Sequence, residues 1–505
     1  MAGQPLTTEH LLRDIPPLGR TGDLGKPVAD VTQDSRDAAP GVLFVALRGD
    51  RTDGNRFAAQ AVDAGSPAVV SEEPPPQAWP GGAAWITVAD ARRSLALLAR
   101  RCHGEPDRAL ALVGITGTNG KTTTAYLVQQ MLRASGAGCG LISGVEILAG
   151  GPVERASLTT PEADRFYRLL ARMRDAGMSH CVMEVSSHGL ERNRVAGARF
   201  RAAAFSNLSR DHLDYHQDME RYYQAKKKLF HQLDGTCGAA VLNIDDPAGA
   251  RLGGELQGRV VSSGTSAGAD VRATAVQADW SGTRLTVEGP GPGSPLDLVS
   301  PLVGRTNASN ILLAAAVCLE LGIAPDAVAA GAAAFGGVPG RFQVVTAPSG
   351  FRVVVDYAHT DDALRHLLRS MREITGDGRL ITIFGCGGDR DPGKRPLMGR
   401  TAAEQSDHVV LTSDNPRSED PLAIIAQVER GVREGAGPGT RVTVEPDRRS
   451  AIGAALALAE PGDTVVVAGK GHEDYQILGG ETIHFDDRDV VREWFEEHHG
   501  DEQQH

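Results

Sequence analysis

GITGTNGKTTT, residues 114–124, follows the apolar run at 110–113 and precedes apolar positions at helical spacing over 125–132. Strand, glycine-rich turn and helix, in that order, form the local structure of a phosphate-binding loop. Gly117 and Gly120 let the backbone curl so that successive N–H groups and the helix N-terminus point at anionic oxygens. The stretch therefore predicts a nucleotide-phosphate site that opens an α/β domain.

This loop is a variant of the usual pattern. Ile115 stands six residues before Lys121, where a glycine is usual. Lys121 is nevertheless placed to reach the β- and γ-phosphates of a nucleotide, and the hydroxyl of Thr122 is placed to ligate Mg²⁺. A chance Gly/Thr-rich turn is the alternative, and a lysine followed by hydroxyls behind a strand argues against it.

Length and composition limit the class of protein. A chain of 505 residues, at roughly 150 residues per domain, predicts about three domains. The net charge of −12 argues against nucleic acid or an acidic membrane as a general partner. Both are negatively charged, and this chain has no overall positive charge to attract them. Six scattered cysteines without a CxxC pair are typical of free thiols in a reducing cytoplasm. The N-terminus resembles no signal peptide and no apolar run is long enough to span a bilayer, so we expect a cytoplasmic protein without membrane insertion.

Alternating strand-like and helical patterns divide the chain into three units, at residues 1–107, 108–340 and 341–505. The first boundary follows a helix predicted over 91–102, at the sequence Gly-Glu-Pro. Strands are predicted in the third unit at 353–356, 380–384, 408–412 and 463–468. Strands that alternate with helices favour an α/β fold with a parallel, doubly wound sheet.

Polar clusters follow each of these predicted strands. They lie at 356–359, 385–391, 413–417 and 469–473. Ligands of open α/β sheets bind beyond the carboxyl ends of the strands. Four clusters at one edge therefore predict a binding site in the third unit.

Two stretches of the middle unit are candidates for a metal site. Glu184 ends a strand predicted over 179–185, and an acid one strand away from a phosphate loop commonly holds Mg²⁺. A simple strand-end acid is the alternative. Residues 211–216 contain two histidines and two acids, and without an HExxH or CxxC spacing they favour Mg²⁺ over zinc.

Two further charged stretches have ordinary interpretations. Lys226, Lys227 and Lys228 lie within a helix predicted over 218–233, where three adjacent lysines indicate a solvated face. The stretch 34–36, Asp-Ser-Arg, is most simply a surface turn.

Motifs spread over about residues 30–490 resemble those of the Mur ligases. In chain order they are TGTNGKTT, EVSSHGL, NLSRDHLDYH, NIDDP, VPGR, DYAHT, FGCGGDRDPGKRP, TSDNPR and GKGHE. Many motifs in one order are far more specific than a phosphate loop alone. The resemblance implies an N-terminal α/β domain for a UDP group, a central P-loop ATPase-type α/β domain and a C-terminal Rossmann-like domain that binds an amino acid.

The resemblance also implies roles for individual residues. Lys226 matches the lysine that the family carbamylates, a modification that turns a cation into a carboxylate-like metal ligand. The implied catalytic residues are Lys121, Lys226, Glu184 and His212, and the implied Mg²⁺-site residues are Thr122, Glu184, His212 and Lys226. The implied ATP-binding residues are Gly117, Thr118, Asn119, Gly120, Lys121, Thr122, Thr123, Asn307, Arg341, Asp356 and His359, with Asp245 and Asp246 bordering the adenine and ribose.

Two more sets of residues are implied for the other substrates. Those for the UDP-linked substrate are Ser35, Thr159, Thr160, Ser186, Arg192 and Arg194. Those for the amino acid are Arg390, Asp414, Asn415, Pro416, Arg417, Gly469 and Glu473. Departures from the family pattern stand at Arg192, Thr306, Gln343 and Asp361, and those at Arg192 and Thr306 bear on substrate and adenine packing.

The implied activity is that of an ATP-dependent amide ligase. The motifs most resemble family members that add meso-2,6-diaminopimelate to UDP-N-acetylmuramoyl-L-alanyl-D-glutamate in peptidoglycan synthesis, with ATP as co-substrate and Mg²⁺ as cofactor, and we expect a monomer. Arg417 can form a charge-assisted hydrogen bond to the distal carboxylate of diaminopimelate. Lysine has only an ammonium at that end, and the loss of the buried charged bond is worth roughly 2–5 kcal/mol.

Two other functions compete with this one. A different amide ligase of the superfamily, such as a folylpolyglutamate synthetase, would share the phosphate loop, and the Asp-Asn-Pro-Arg cluster at 414–417 argues against it. A scaffold that binds ATP without turnover is the other alternative. Intact Lys121, Glu184 and Lys226 argue against that scaffold.

Overall fold

The structure is a computed structural model that describes residues 6–49, 52–77, 79, 82–290, 293–346 and 350–499. Over these residues it contains sheets of five, eleven and six strands and one separate hairpin. Helices pack against the three large sheets, which confirms the α/β fold class. We call the three parts the first, second and third lobes, with the predicted boundaries at 107/108 and 340/341 kept as a proposal.

The first lobe is built on the five-stranded sheet. Its strand order is β1-β5-β4-β3-β2, with β1 antiparallel to β5 and the other pairs parallel. The elements are α1 Thr8–Leu11, β1 Gly19–Thr21, β2 Asp30–Thr32, β3 Val42–Val45, α2 Ala58–Asp63, β4 Ala68–Ser71, β5 Ala84–Thr87 and α3 Ala91–Cys102. The helix predicted over 91–102 is confirmed, and Asp90 caps it by accepting from Arg93 N.

The second lobe is built on the eleven-stranded sheet, in the order β16-β15-β14-β13-β12-β11-β6-β10-β7-β8-β9. Its first elements are β6 Ala111–Thr116, α4 Lys121–Ala134, β7 Cys139–Ile142, β8 Glu146–Leu148, β9 Glu154–Arg155, α5 Ala163–Asp175, β10 His180–Glu184, α6 Ser187–Glu191, β11 Phe200–Phe205, α7 Leu213–His216 and α8 Met219–Lys227. The rest are β12 Ala239–Asn243, α9 Pro247–Glu255, β13 Arg259–Gly264, β14 Val271–Asp279, β15 Gly282–Glu288, β16 Leu296–Ser300, α10 Arg305–Glu320 and α11 Pro325–Ala333. Strands β7, β10, β6, β11, β12 and β13 are parallel, so their carboxyl ends share one edge.

The helix predicted over 218–233 is wrong in its second half. The α-helix α8 ends at Lys227, and a 3-10 helix continues from Lys228 to Gln232. Leu229 and Phe230 are buried in that tighter turn. An apolar pair in this position suits both helix types, so the pattern alone does not separate them.

The third lobe is built on the six-stranded sheet, in the order β17-β18-β22-β19-β20-β21. Only β17 is antiparallel within the described part of this sheet, so the carboxyl ends of the predicted strands share one edge. The elements are β17 Gln343–Thr346, β18 Arg352–Asp356, α12 Asp361–Thr375, β19 Leu380–Phe384, α13 Lys394–Gln405, β20 His408–Leu411, α14 Pro421–Gly435, β21 Arg441–Val444, α15 Arg448–Leu458, β22 Thr464–Ala468, β23 Tyr475–Leu478, β24 Glu481–His484 and α16 Asp487–His499. The predicted doubly wound parallel sheet is confirmed. No helix of the described residues is long and apolar enough to cross a membrane.

A buried ion pair holds the third lobe together below the ends of two strands. Arg448, which begins α15, donates to both carboxylate oxygens of Asp487 at 2.7 and 2.8 Å. Both side chains are fully buried. Arg448 also donates to Ala468 O at 3.0 Å, directly before the cluster at 469–473, and to Ser413 O at 3.4 Å, in the first residue of the cluster at 413–417. The pair therefore ties α15 and α16 to the edge that carries those clusters.

We expect Asp487→Ala to destabilise the third lobe strongly. It leaves the Arg448 guanidinium buried without its carboxylate, and breaking a buried pair costs roughly 3–5 kcal/mol. Urea denaturation followed by tryptophan fluorescence measures the change in the free energy of unfolding, since Trp494 lies in α16 with Asp487.

The matched control is Asp489→Ala on the same helix. Its partner Arg492 has a side chain that is 62% exposed, and such a surface pair is worth about 1 kcal/mol or less. Equal losses in the two variants would show that the buried pair contributes nothing beyond a surface one.

Candidate active site

The phosphate loop lies between β6 and α4, as the sequence predicts. Gly117 and Gly120 have φ angles of +142° and +82°. A Cβ on Gly117 would lie 1.9 Å from Ser206 Oγ, and one on Gly120 would lie 2.2 Å from Asn310 Oδ1. Left-handed backbone and close neighbours together require glycine at both positions. The turn can therefore meet anionic oxygens with its main chain.

Lys121, the first residue of α4, folds back over this loop. Its Nζ donates to Thr118 O at 2.7 Å and to Gly117 O at 3.1 Å. Burial lowers the pKa of Lys121, and the carboxylates of Glu184 and Asp211 act in the opposite direction. The cation therefore lies at a helix N-terminus, where phosphate oxygens bind.

Lys226 points inward, so the solvated-face interpretation is wrong for this residue. Its side chain is 1% exposed, whereas Lys228 pairs with Glu191 at the surface. The Nζ of Lys226 donates to Gly117 O at 2.6 Å and lies 4.3 Å from the centre of the Tyr222 ring. Burial, and next the charge of Lys121, hold the pKa of Lys226 well below its usual value. The neutral amine that this favours is the nucleophilic form of a lysine.

Glu184 and His212 face the same cavity as Lys121 and Thr122. Glu184 is buried at the end of β10, and its Oε1 accepts from Gly144 N at 2.8 Å. Burial lowers the pKa of His212 to about 4, so its imidazole is neutral and able to bind a metal.

The metal cluster considered for 211–216 is not formed. The described residues contain no group of three or more His, Cys, Asp or Glu able to hold a metal ion. His216 instead shares a hydrogen bond of 2.9 Å with Ser187 Oγ and lies 5.0 Å from the Tyr222 ring. The four predicted metal residues, Thr122, Glu184, His212 and Lys226, supply a hydroxyl, a carboxylate, an imidazole and an amine. Oxygen donors with one imidazole fit Mg²⁺ once the amine carries a carboxylate.

The predicted nucleotide residues line one cavity of about 250 Å³ between the second and third lobes. Those that line it are Thr118, Asn119, Gly120, Lys121, Thr122, Thr123, Asn307, Arg341, Asp356 and His359. Gly117 contributes through its main-chain oxygen, which accepts from both buried lysines. Phe342 and His366, which belong to no motif of the sequence analysis, also line the cavity, together with His472 of the polar cluster at 469–473.

Arg341 and Asp356 approach the cavity from the third lobe. The guanidinium of Arg341 lies 4.3 Å from the centre of the Tyr357 ring, and its Nε is buried without a hydrogen-bond partner among the described residues. Asp356 accepts from the main-chain N–H groups of Phe342 and Ala358, each at 2.8 Å. An unpaired buried donor at a cavity wall is suited to an anionic ligand.

Asp245 and Asp246 lie at a neighbouring cavity of about 290 Å³, which also contains Asn119 and Gly120. Asp245 accepts from Thr265 N at 2.7 Å and from Ser266 Oγ at 2.8 Å. Asp246 accepts from Ala248 N at 2.9 Å and caps α9. The structure therefore gives both carboxylates structural partners.

A larger cavity of about 500 Å³ lies at the carboxyl edge of the third sheet, and we call it the acceptor cavity. The predicted amino-acid residues that line it are Arg390, Asp414, Asn415, Arg417, Gly469 and Glu473. Pro416 packs its main-chain oxygen against Gly388, where an added Cβ would lie 1.9 Å from that oxygen. Tyr357 and His359 of the cluster at 356–359 line this cavity too. All four predicted polar clusters therefore meet in one cavity.

The acceptor cavity has a cationic side and an anionic side. Arg417, at φ +55°, donates to Gly388 O at 2.8 Å, and Arg390 is exposed at the cavity mouth. Asp414 and Glu473 form the anionic side. The buried Oδ1 of Asp414 has no hydrogen-bond partner among the described residues. Burial, and next the charge of Asp414, raise the pKa of Glu473. An amino-acid group with its own ammonium and carboxylate matches this arrangement.

The nucleotide and acceptor cavities adjoin. Asp211, His212, Tyr357 and His359 line both of them. A reacting group held at this common wall is therefore within reach of both ligands.

Four of the residues predicted for the UDP-linked substrate lie together in the second lobe: Thr159, Thr160, Ser186 and Arg194. Thr160 Oγ1 donates to Glu184 O at 3.0 Å and accepts from Ser186 N at 2.9 Å. Arg194 donates to Thr160 O at 2.9 Å and to Glu162 Oε1 at 2.5 Å. Thr159 lines the nucleotide cavity itself.

Ser35 lies in the first lobe, within a 3-10 turn from Ser35 to Asp37. The carboxylate of Asp34 caps this turn and pairs with Arg36, which agrees with the predicted surface turn. Thr32, just before it, lies 3.5 Å from Asp164 of the second lobe. The turn therefore stands next to the lobe that holds Thr160 and Arg194.

Two departures from the family pattern, Thr306 and Asp361, line the cavities of the site, and a third, Arg192, lies near Tyr215. Arg192 places its guanidinium 5.8 Å from the centre of the Tyr215 ring. Thr306 shares a hydrogen bond of 3.1 Å with Ser370 and so links α10 to α12 at the nucleotide cavity. None of these departures replaces Lys121 or Lys226.

Comparisons with known proteins agree with this geometry. The family descriptions "Mur ligase family, catalytic domain", "Mur ligase middle domain" and "Mur ligase, glutamate ligase domain" match residues 27–103, 115–318 and 340–471. A UDP-N-acetylmuramoyl-L-alanyl-D-glutamate--2,6-diaminopimelate ligase of Solibacter usitatus (strain Ellin6076) is 46% identical over 97% of this chain and 97% of its own. One of Gloeobacter violaceus is 47% identical over 92% of this chain and 93% of its own.

A solved structure gives the same result. The structure of a UDP-N-acetylmuramoyl-L-alanyl-D-glutamate--2,6-diaminopimelate ligase, 31% identical in sequence, aligns with a TM-score of 0.69 and covers 98% of this chain and 100% of that one. Family descriptions, relatives over nearly full length and a solved structure thus give one answer. This chain belongs to the Mur ligase family.

Proposed function

We propose that this chain is the ATP-dependent ligase that joins meso-2,6-diaminopimelate to the D-glutamate side-chain carboxylate of UDP-N-acetylmuramoyl-L-alanyl-D-glutamate, a step of peptidoglycan synthesis. One observation carries the proposal. The acceptor cavity, with Arg417 in its wall, adjoins the nucleotide cavity that contains Lys121. Relatives that cover nearly the whole chain bear the name of this activity.

The acceptor cavity suits an amino acid with two charged ends. meso-Diaminopimelate presents a carboxylate and an ammonium at its distal centre, opposite the reacting amine. Arg417, with Arg390 at the mouth, would bind the carboxylate, while Asp414 and Glu473 would bind the ammonium. Asn415 and Gly469 complete the wall.

The nucleotide cavity suits the activation of a carboxylate. A carboxylate is a poor electrophile, so the γ-phosphoryl group of ATP passes to it and forms an acyl phosphate. Lys121, and Arg341 from the third lobe, would offset the negative charge on the transferring phosphoryl group. The amine of the acceptor then attacks the acyl carbon, and the tetrahedral intermediate collapses to amide and inorganic phosphate.

Mg²⁺ would be held by Thr122, Glu184, His212 and a carbamylated Lys226, with ATP phosphate oxygens as further donors. When bound, the ion neutralises phosphate charge. Lys226 fits the carbamate role because it is buried, because its Nζ donates to the main-chain oxygen of Gly117, and because burial lowers its pKa. A neutral amine adds to CO₂ and releases one proton, which leaves a carbamate anion.

The UDP-linked substrate would extend from the first lobe to the common wall of the cavities. Ser35 would contact the uridine, and Thr159, Thr160, Ser186, Arg192 and Arg194 would hold the muramoyl dipeptide. Because the substrates bind to different lobes, closure of the lobes assembles the site. Asn119 of the phosphate loop already donates to Asp362 of the third lobe at 3.0 Å. We further propose a cytoplasmic monomer with the three domains 1–107, 108–340 and 341–505.

A coupled assay of ADP release tests this function. We expect release only when ATP, Mg²⁺, the UDP-dipeptide and meso-diaminopimelate are all present, with a UDP-tripeptide product identified by mass. Folate-stimulated ADP release would instead reveal a folylpolyglutamate synthetase. Absence of phosphate release with all substrates present would favour a scaffold that binds ATP without turnover.

A further inference from the structure

A buried lysine lies directly behind the anionic side of the acceptor cavity. Lys470 is 0% exposed. Its Nζ lies 3.3 Å from Asn415 Oδ1, 3.5 Å from Glu473 Oε2 and 3.8 Å from Asp414 Oδ1. These three partners all line the cavity. One cation therefore contacts every acidic or amide side chain on that side of the cavity wall.

The charge of Lys470 balances two carboxylates that would otherwise repel each other. Asp414 and Glu473 are both largely buried, and like charges in a low-dielectric site oppose each other's ionisation. With Lys470 between them, the three groups carry one net negative charge. That net charge is the complement of a single ammonium group.

Lys470 also fixes the orientation of the groups that face the ligand. The amide of Asn415 is held by three neighbours: Oδ1 accepts from Ile477 N at 3.0 Å and from Lys470, and Nδ2 donates to Glu473 Oε2 at 3.0 Å. Glu473 Oε1 accepts from Tyr357 Oη at 3.4 Å. Asp414 Oδ1, which accepts no hydrogen bond from the residues that the structure describes, is left as an acceptor at the cavity wall.

We propose that Lys470 is a positioning residue that gives the acceptor cavity its preference for substrates with a second ammonium group. Lys470 acts through Asp414, Asn415 and Glu473 and does not itself contact the substrate. The inference rests on the proposed function, since it assumes that the cavity binds the distal end of a diamino dicarboxylate. If Lys470 contributed to stability alone, its substitution would lower kcat/KM equally for all acceptors.

The test compares two acceptors in the complete enzyme. meso-Diaminopimelate has the second amine, whereas 2-aminopimelate keeps both carboxylates and the reacting amine and lacks only that group. We expect the wild type to prefer meso-diaminopimelate in kcat/KM, and Lys470→Met to lower that preference about tenfold or more, as for loss of a buried charge partner. The KM values for ATP and the UDP-dipeptide stay within about twofold of wild type, since the nucleotide cavity is lined by other residues.

A second variant and a control keep the result interpretable. Lys470→Arg retains the cation and should keep most of the preference for meso-diaminopimelate. This variant still tests the inference if Lys470→Met folds poorly. The control is Arg379→Met. Arg379 forms an ion pair with Asp463 at the amino ends of β19 and β22, whereas the acceptor cavity lies at their carboxyl ends. Loss of this cation should therefore leave the preference for meso-diaminopimelate unchanged. An unchanged preference in Lys470→Met, with equal losses on both acceptors, would overturn the inference. Failure of the wild type to use meso-diaminopimelate would instead overturn the proposed function.

Discussion

Lys226→Arg should lower the rate of ADP release by about 10²–10³-fold or more, as expected when a charge-stabilising group is lost from a preorganised site. Arginine keeps the positive charge and cannot be carbamylated. Lys226 lies at the centre of the site, with its Nζ 2.6 Å from Gly117 O and its side chain buried against Tyr222. A permanent cation there opposes Mg²⁺ instead of binding it. Steady-state kcat with all substrates measures the loss.

Lys228→Arg is the matched control for this variant. Lys228 lies two residues further along the chain and pairs with Glu191 at the surface, so we expect activity close to wild type. A second measurement follows from the chemistry of the carbamate. Wild-type enzyme depleted of CO₂ should lose activity and recover it with bicarbonate, and Lys226→Arg should not respond. Full activity in Lys226→Arg would rule out the carbamate role.

Lys121→Met should lower kcat by about 10³-fold, because it removes a cation aimed at the transferring phosphoryl group. The side chain of methionine has similar bulk and no charge, so the loop packing around Gly117 and Thr118 is largely kept. Since the charge acts mainly on the transition state, we expect a smaller effect, about tenfold, on ATP affinity. Single-turnover kinetics and equilibrium binding of a fluorescent nucleotide separate these two effects.

Lys227→Met provides the comparison for Lys121→Met. Lys227 pairs with Glu255 outside the nucleotide cavity, so its loss should leave kcat within about twofold of wild type. If Lys121→Met kept kcat within tenfold of wild type, the phosphoryl-transfer role of this lysine would be wrong.

The phosphate loop and the acceptor cavity were predictable from the sequence for one physical reason. Parallel strands place their carboxyl ends at one edge, so residues that follow strands meet in space although they are far apart in the chain. Asp356 ends one predicted strand, and Asp414 and Gly469 follow two others; the structure brings their clusters together. The same rule placed Lys121 at a helix N-terminus behind β6.

The inward direction of Lys226 could not be read from spacing. Three adjacent lysines point in three directions around a helix, and only packing decides which of them is buried. Here Tyr222, one turn earlier on α8, and the phosphate loop enclose Lys226. The resemblance to a family supplied what the residue pattern did not.

Residues behind the cavity walls were missed for a related reason. Lys470 lies within the motif GKGHE, and Arg448 lies outside the quoted motifs. The role of each depends on a contact with a distant segment: Asn415 for Lys470, and Asp487 for Arg448. The aromatic contacts of His188 with His212 and Tyr215 also depend on the packing of α6 against α7 and the residue before it. Local sequence carries no periodic signal for such tertiary contacts.

The central claim is that a guanidinium beside the triphosphate site selects an acceptor with a distal carboxylate. The most direct measurement is kcat/KM for meso-diaminopimelate and for L-lysine, in wild type and in Arg417→Met, with Arg400→Met on the third-lobe surface as the control. We predict that the wild type and Arg400→Met favour meso-diaminopimelate by about 30-fold or more and that Arg417→Met loses most of this preference. Equal turnover of the two amino acids by the wild type would contradict the account.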